Sequence, residues 1–102
     1  MNIYHINITP AALDDIQDGL VYYNSKAANL GFRFADEVDN SLQAIAKMPA
    51  AYGYRYKNIR AKLLYKFPFL IFFTVDEDNL SVDVLRIFHT SQHPYWLNKE
   101  AE

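Results

Sequence analysis

Phe69-Leu70-Ile71-Phe72-Phe73-Thr74-Val75 is the stretch on which the fold turns. Its residues are β-branched or aromatic at most positions, which favours an extended strand. It is apolar at odd and even positions alike, so both faces of that strand need cover. Even extended back to Phe67 across Pro68, the run is far shorter than the roughly 20 apolar residues a membrane span takes. It therefore predicts the central strand of a sheet in a water-soluble domain.

The flanks change character on either side. Before Pro68, Leu63, Tyr65 and Phe67 alternate with Lys62, Leu64 and Lys66. Earlier still, Arg55, Lys57 and Ile59 alternate with Tyr54, Tyr56 and Asn58. Period two marks half-exposed strands. After the central run, Asp76-Glu77-Asp78-Asn79 is a turn signal. Leu80 to His89 then reads as a last strand, with Leu80, Val82, Val84 and Phe88 on one face and Leu85 and Ile87 on the other.

The N-terminal half has a different period. Met1 to Ile8 alternates weakly and predicts a short strand. Thr9-Pro10 predicts a helix start, with Thr as N-cap and Pro in the first turn. Asp14, Asp15 and Asp18 are expected near the positive end of its dipole. Leu13, Ile16, Leu20, Tyr23 and Ala27 form one helical stripe, and Leu30, Phe34, Val38, Leu42 and Ile45 a second. The second stops at Met48-Pro49, because a residue before proline avoids the helical region. The expected fold is α+β over a single domain, 1–102: an N-terminal strand, a helical hairpin, then a three- to four-stranded, mostly antiparallel sheet.

Composition narrows the function. With 102 residues, 51% hydrophobic and 16% aromatic, the chain can bury a core and is not disordered. It has no cysteine, hence no disulfide, thiolate metal site or Cys nucleophile. No signal peptide is visible, so a bacterial cytoplasm is expected. The net charge of −2 hides an asymmetry. Residues 40–75 contain Lys47, Arg55, Lys57, Arg60, Lys62 and Lys66 and no acid, while acids dominate on both sides. Tyr54, Tyr56 and Tyr65 interleave with these cations, a pattern suited to single-stranded nucleic acid or to an acidic protein.

Few residues suggest chemistry. Arg86 sits among apolar strand neighbours, and its fork suits a phosphate or carboxylate. The plainer role is an internal salt bridge, to Asp83 or to an acid on a helix. His89 ends the same strand, on the opposite face if alternation holds, and is a candidate acid or base. A hydrogen-bonded structural role is the commoner one for such a histidine. His5, His89 and His93 lack the spacing of a metal site. There is no glycine-rich phosphate loop, carboxylate pair or Ser-His-Asp signature.

Taken in order, several short segments resemble the ParE/RelE superfamily of bacterial toxins from type II toxin–antitoxin (plasmid stabilisation) systems, the ParE branch most. They are Thr9-Pro10-Ala11-Ala12, Tyr22-Tyr23, then Ala28, Phe32, Phe34 and Leu42, and Pro49. Ile59-Arg60, Lys66 to Phe73, Val84 to His89 and Pro94-Tyr95-Trp96 complete the series. The resemblance implies a helical hairpin on a compact sheet, and a cognate antitoxin whose C-terminal segment wraps the toxin. ParE-like members act on DNA gyrase, whereas RelE-like members cut mRNA on the ribosome. Arg60 and His89 fall at recurrent Arg and His positions. Gln92 stands where many relatives carry a basic residue, and RelE-type toxins are strongly basic where this chain is not.

The resemblance thus implies a non-enzymatic toxin that binds a protein target such as DNA gyrase. The alternatives are a ribosome-dependent mRNA endonuclease using Arg60, Arg86 and His89, and a decayed toxin that only binds its antitoxin. Arg55, Lys57, Lys62, Lys66, Tyr65 and Trp96 are the expected contacts for antitoxin or target. No cofactor, metal, membrane or strong binding to free nucleic acid is expected.

Overall fold

A computed structural model describes residues 3–92 of the chain. The elements are β1 (His5–Ile8), α1 (Pro10–Lys26), α2 (Leu30–Lys47), a single 3-10 turn (Pro49–Ala51), β2 (Tyr54–Tyr56), β3 (Ile59–Leu63), β4 (Phe69–Asp76) and β5 (Ser81–His89). The strands form one five-stranded sheet in the order β1-β5-β4-β3-β2. The four strands after the hairpin make an antiparallel meander, and β1 joins it parallel to β5. No helix among the described residues is long and apolar enough to cross a membrane.

The helix start is the one the sequence implies. Thr9 is the N-cap of α1, with Pro10 at the first helical position, and its Oγ1 accepts the Ala12 amide hydrogen at 3.2 Å. The same hydroxyl donates to the Leu85 carbonyl at 3.1 Å, which ties the start of α1 to β5. The aspartates play a different part from the one expected, because the first turn of α1 carries no acid. The buried face of α1 also differs. Ala12 and Gly19 are its fully buried residues, while Leu13 is exposed.

Small residues face inward on α1 because the hairpin crosses closely. A Cβ on Gly19 would lie 2.5 Å from the Phe34 ring, and one on Gly31 would lie 2.1 Å from the Leu20 carbonyl oxygen. The hairpin is closed by Asn29, which caps α2 in the left-handed region at φ 66°. The Asn24 side chain also accepts the Gly31 amide hydrogen at 2.7 Å.

The core lies between the hairpin and one face of the sheet. Phe34, Val38, Leu42 and Ile45 of α2, the expected stripe, pack against Ile71, Phe73, Val82, Val84 and Ile87. Burying each such side chain contributes about 1.5–3 kcal/mol. At one end Tyr23, Phe34, Phe67 and Phe69 form an aromatic cluster with ring centroids 5.0 to 6.1 Å apart.

A β-bulge redirects the end of β5. Phe72 pairs with Arg86 and Phe73 with Val84, so Leu85 has no partner on β4. The extra residue shifts the alternation by one. Ile87 therefore joins Val82 and Val84 on the core face. Simple alternation placed it on the other face, and the bulge is the physical reason for the difference.

Candidate functional site

The cationic middle of the sequence forms a two-strand strip at one edge of the sheet. β2 and β3 are joined at Lys57-Asn58, where Lys57 takes a left-handed φ of 49°. Register puts Arg60 opposite Phe73 and Lys62 opposite Ile71, on the face the helices share. Ala61 and Leu63 pair with Phe72 and Leu70 and point the other way.

Tyrosines sit under these cations. The Lys57 ammonium lies 5.3 Å from the Tyr56 ring centroid, Lys62 lies 5.5 Å from Tyr52, and Lys66 lies 5.4 Å from Tyr65. The Arg60 guanidinium stacks 4.0 Å from Tyr54. None of the six cations between residues 47 and 66 forms an ion pair among the described residues. An aromatic face holds a cation in place without neutralising it. The strip is thus electropositive, and exposed Tyr54 and Tyr65 add apolar surface to it.

Arg60 is also a clamp. It donates to the Tyr52 carbonyl and, at 2.9 Å, to the Tyr54 hydroxyl. It thereby fixes the chain that leads from the 3-10 turn into β2.

Arg86 has the plainer role. Its Nε and Nη2 donate to the two carboxylate oxygens of Asp15 at 2.8 and 2.9 Å, and its guanidinium lies 4.4 Å from the Phe88 ring. The hydrogen bonds to Asp15 raise the Arg86 pKa above its usual value, with burial opposing. Asp15 also accepts the Ile87 amide hydrogen at 2.9 Å. β1 reaches β5 only as far as Val84, so the edge beyond it is open. Side chains close it: Thr9 on the Leu85 carbonyl, Asp15 on the Ile87 amide and Gln92 on the His89 amide at 3.0 Å. An edge whose polar groups are taken does not template another strand.

His89 lies on the face opposite Arg86, as alternation implied, with its ring 5.3 Å edge-on to Phe69. The Ser91 amide donates to its Nδ1 at 3.0 Å. Nδ1 is then an acceptor, and the neutral ring carries its proton on Nε2.

These three residues do not converge. The β4 partners of Arg60 and His89, Phe73 and Phe69, are four residues apart. That spacing is roughly 13 Å along the strand, with roughly 10 Å more across two strand spacings. Arg86 points to the other face. Arg55 is exposed on β2, and Lys57, Lys62, Lys66 and Tyr65 belong to the strip or its end, whereas Trp96 lies outside the described residues.

Two clefts flank the hairpin. One, of about 320 Å³, runs along Asp15, Tyr22, Arg86 and Gln92. The other, of about 510 Å³, lies between the hairpin and the β3–β4 turn, lined by Tyr23, Leu30, Arg33, Glu37, Lys66, Phe67 and Pro68. Arg33 and Glu37 carry no sequence signal of their own: they are ordinary charges on an amphipathic helix.

Comparison with known proteins fixes the family. The family model for the ParE toxin of the type II toxin–antitoxin system parDE matches residues 6–94. The chain belongs to the ParE toxin family. No curated protein matches the sequence. This ParE-family chain superposes on a structure of the chromosomal ParDE toxin–antitoxin system from P. aeruginosa with a TM-score of 0.74 at 15% identity, covering 85% of this chain and 96% of that one. It also matches the RelBE2 toxin–antitoxin complex from Mycobacterium tuberculosis with a TM-score of 0.60 at 15% identity, over 85% and 98% of the two chains. At such identities the shared property is the ParE/RelE-like α+β fold.

Proposed function

We propose that this ParE-family toxin is held silent by a cognate antitoxin whose acidic, apolar-anchored segment lies along the β2–β3 strip. Released, it acts by binding a protein target, DNA gyrase by analogy with its family, and not by cutting RNA. The observation that carries this reading is the strip itself. Its cations sit on tyrosine faces, and among the described residues no carboxylate pairs with them. That is electrostatic complementarity waiting for an acidic partner. Both structural neighbours come from toxin–antitoxin systems, which supports a partner of that kind.

The separation of Arg60, Arg86 and His89 supports the non-nuclease half of the reading. Phosphodiester cleavage needs charge stabilisation and proton transfer at one reacting group. Here Arg60 clamps a loop, Arg86 is committed to Asp15, and His89 stands at a far corner. Co-expression of this chain with the product of its neighbouring reading frame tests the partner. The two should co-purify, and charge reversal at Lys57 and Lys62 should weaken the complex at least tenfold. Recovery of the chain alone at high yield overturns the reading.

A further inference from the structure

We propose that the cleft between the hairpin and the β3–β4 turn is an anchor site for an apolar side chain followed directly by a carboxylate, supplied by an internal segment of a partner peptide. The proposal rests on the antitoxin reading above and adds a location and a side-chain chemistry to it.

The floor of the cleft is apolar. Tyr23, Leu30, Phe67 and Pro68 line it, and Phe67 is held edge-on against Tyr23 and Phe34 at 5.0 and 5.5 Å. Because Phe34 is fully buried, that floor is fixed. A volume of about 510 Å³ accommodates one large side chain with adjoining backbone.

The rim is charged and uncompensated. Arg33 on α2 and Lys66 in the turn both line it, and among the described residues neither pairs with a carboxylate. Lys66 holds a left-handed φ of 69°, which costs a residue with a side chain free energy. A strained lysine and an arginine lining one apolar cleft select a carboxylate. Glu37 on the same rim opposes a second acid deeper in and can accept a peptide amide hydrogen. An apolar residue followed by Asp or Glu, with capped termini, satisfies all three charges.

The test uses an acetylated, amidated 10-residue peptide with a central Phe-Glu pair, titrated into the isotopically labelled full chain and followed by amide shifts. Shifts should cluster at Leu30, Arg33, Lys66 and Phe67. The matching Phe-Gln and Ala-Glu peptides should each bind at least fivefold more weakly. Lys66→Gly suits the positive φ and removes the cation, and Arg33→Gln leaves the helix intact; together they should weaken the Phe-Glu peptide at least tenfold. Equal binding of the Phe-Gln peptide, shifts confined to the β2–β3 strip, or no shifts at millimolar peptide each overturn the proposal. The two levels separate cleanly. An antitoxin complex that forms equally well with the doubly substituted chain removes the cleft alone, whereas no complex with the unmodified chain removes the antitoxin reading.

Discussion

Asp15 on α1 and Arg86 on β5 are joined through both carboxylate oxygens, at 2.8 and 2.9 Å, and the same Asp15 takes the Ile87 amide hydrogen. Asp15 thus serves helix, sheet and edge together, while Arg86 serves the pair and covers the Phe88 ring. The two residues are not equivalent in energy. Asp15→Ala leaves a half-buried guanidinium and a strand amide without partners and should cost about 2–3 kcal/mol. Arg86→Ala leaves Asp15 on the Ile87 amide and, with Arg86 38% exposed, should cost about 1 kcal/mol. Urea unfolding of both variants checks the order, and a larger loss for Arg86→Ala contradicts this account.

The hairpin crossing is set by two glycines. Gly31→Ala drives a methyl to 2.1 Å from a backbone oxygen, so the helices must separate. The expected loss is about 3 kcal/mol, despite the helix propensity gained. Gly19→Ala meets a ring that cannot leave the core and should cost about 1–2 kcal/mol. Thermal melts of the pair give the ranking.

Tyr23 makes the aromatic cluster sensitive to alkali. Burial, and to a lesser degree Tyr22, raises its pKa above the ordinary value of 10.0. A raised acid is protonated in both states below that value, so its contribution is fully present there. Above it the unfolded phenol ionises first, and stability falls as pH rises toward the folded value. Stability should drop on titration past about pH 10, and Tyr23→Phe should lessen that drop. An unchanged alkaline limb in Tyr23→Phe contradicts the assignment.

Arg60 and His89 should separate by phenotype. His89→Ala should leave growth arrest intact, since among the described residues the ring meets Phe69 edge-on and binds Ser91. Arg60→Ala should free the chain before β2 and weaken antitoxin binding severalfold, because the clamp on Tyr52 and Tyr54 is lost. Loss of growth arrest in His89→Ala, with the fold retained, returns the nuclease reading.

Much of this architecture is legible in the sequence where strong local signals agree. Phe69 to Val75 declares a doubly covered strand, Thr9-Pro10 a capped helix, and Phe34, Val38, Leu42 and Ile45 a core stripe. What escapes depends on tertiary context. The Leu85 bulge has no glycine to mark it, so the faces of Arg86 and Ile87 cannot be read correctly together. The Lys57-Asn58 turn also lacks glycine and proline, so Tyr54 to Ile59 reads as one strand where the chain turns, and the period-two stretch from Lys62 to Phe67 leaves the sheet after Leu63. Ala12 and Gly19 line the inner face of α1 because a close crossing, visible only in space, favours small residues. The strip and Arg86 are flagged by charge among apolar neighbours. Asp15 and the rim of the Arg33 cleft are not, since each looks like a solvated helix charge.

The central claim is that the released toxin acts on a protein target and not on RNA. Supercoiling of relaxed plasmid by purified DNA gyrase, titrated with this chain, measures it most directly. The account predicts inhibition near stoichiometric toxin, relieved by adding the antitoxin. Full supercoiling in the presence of excess folded toxin contradicts it.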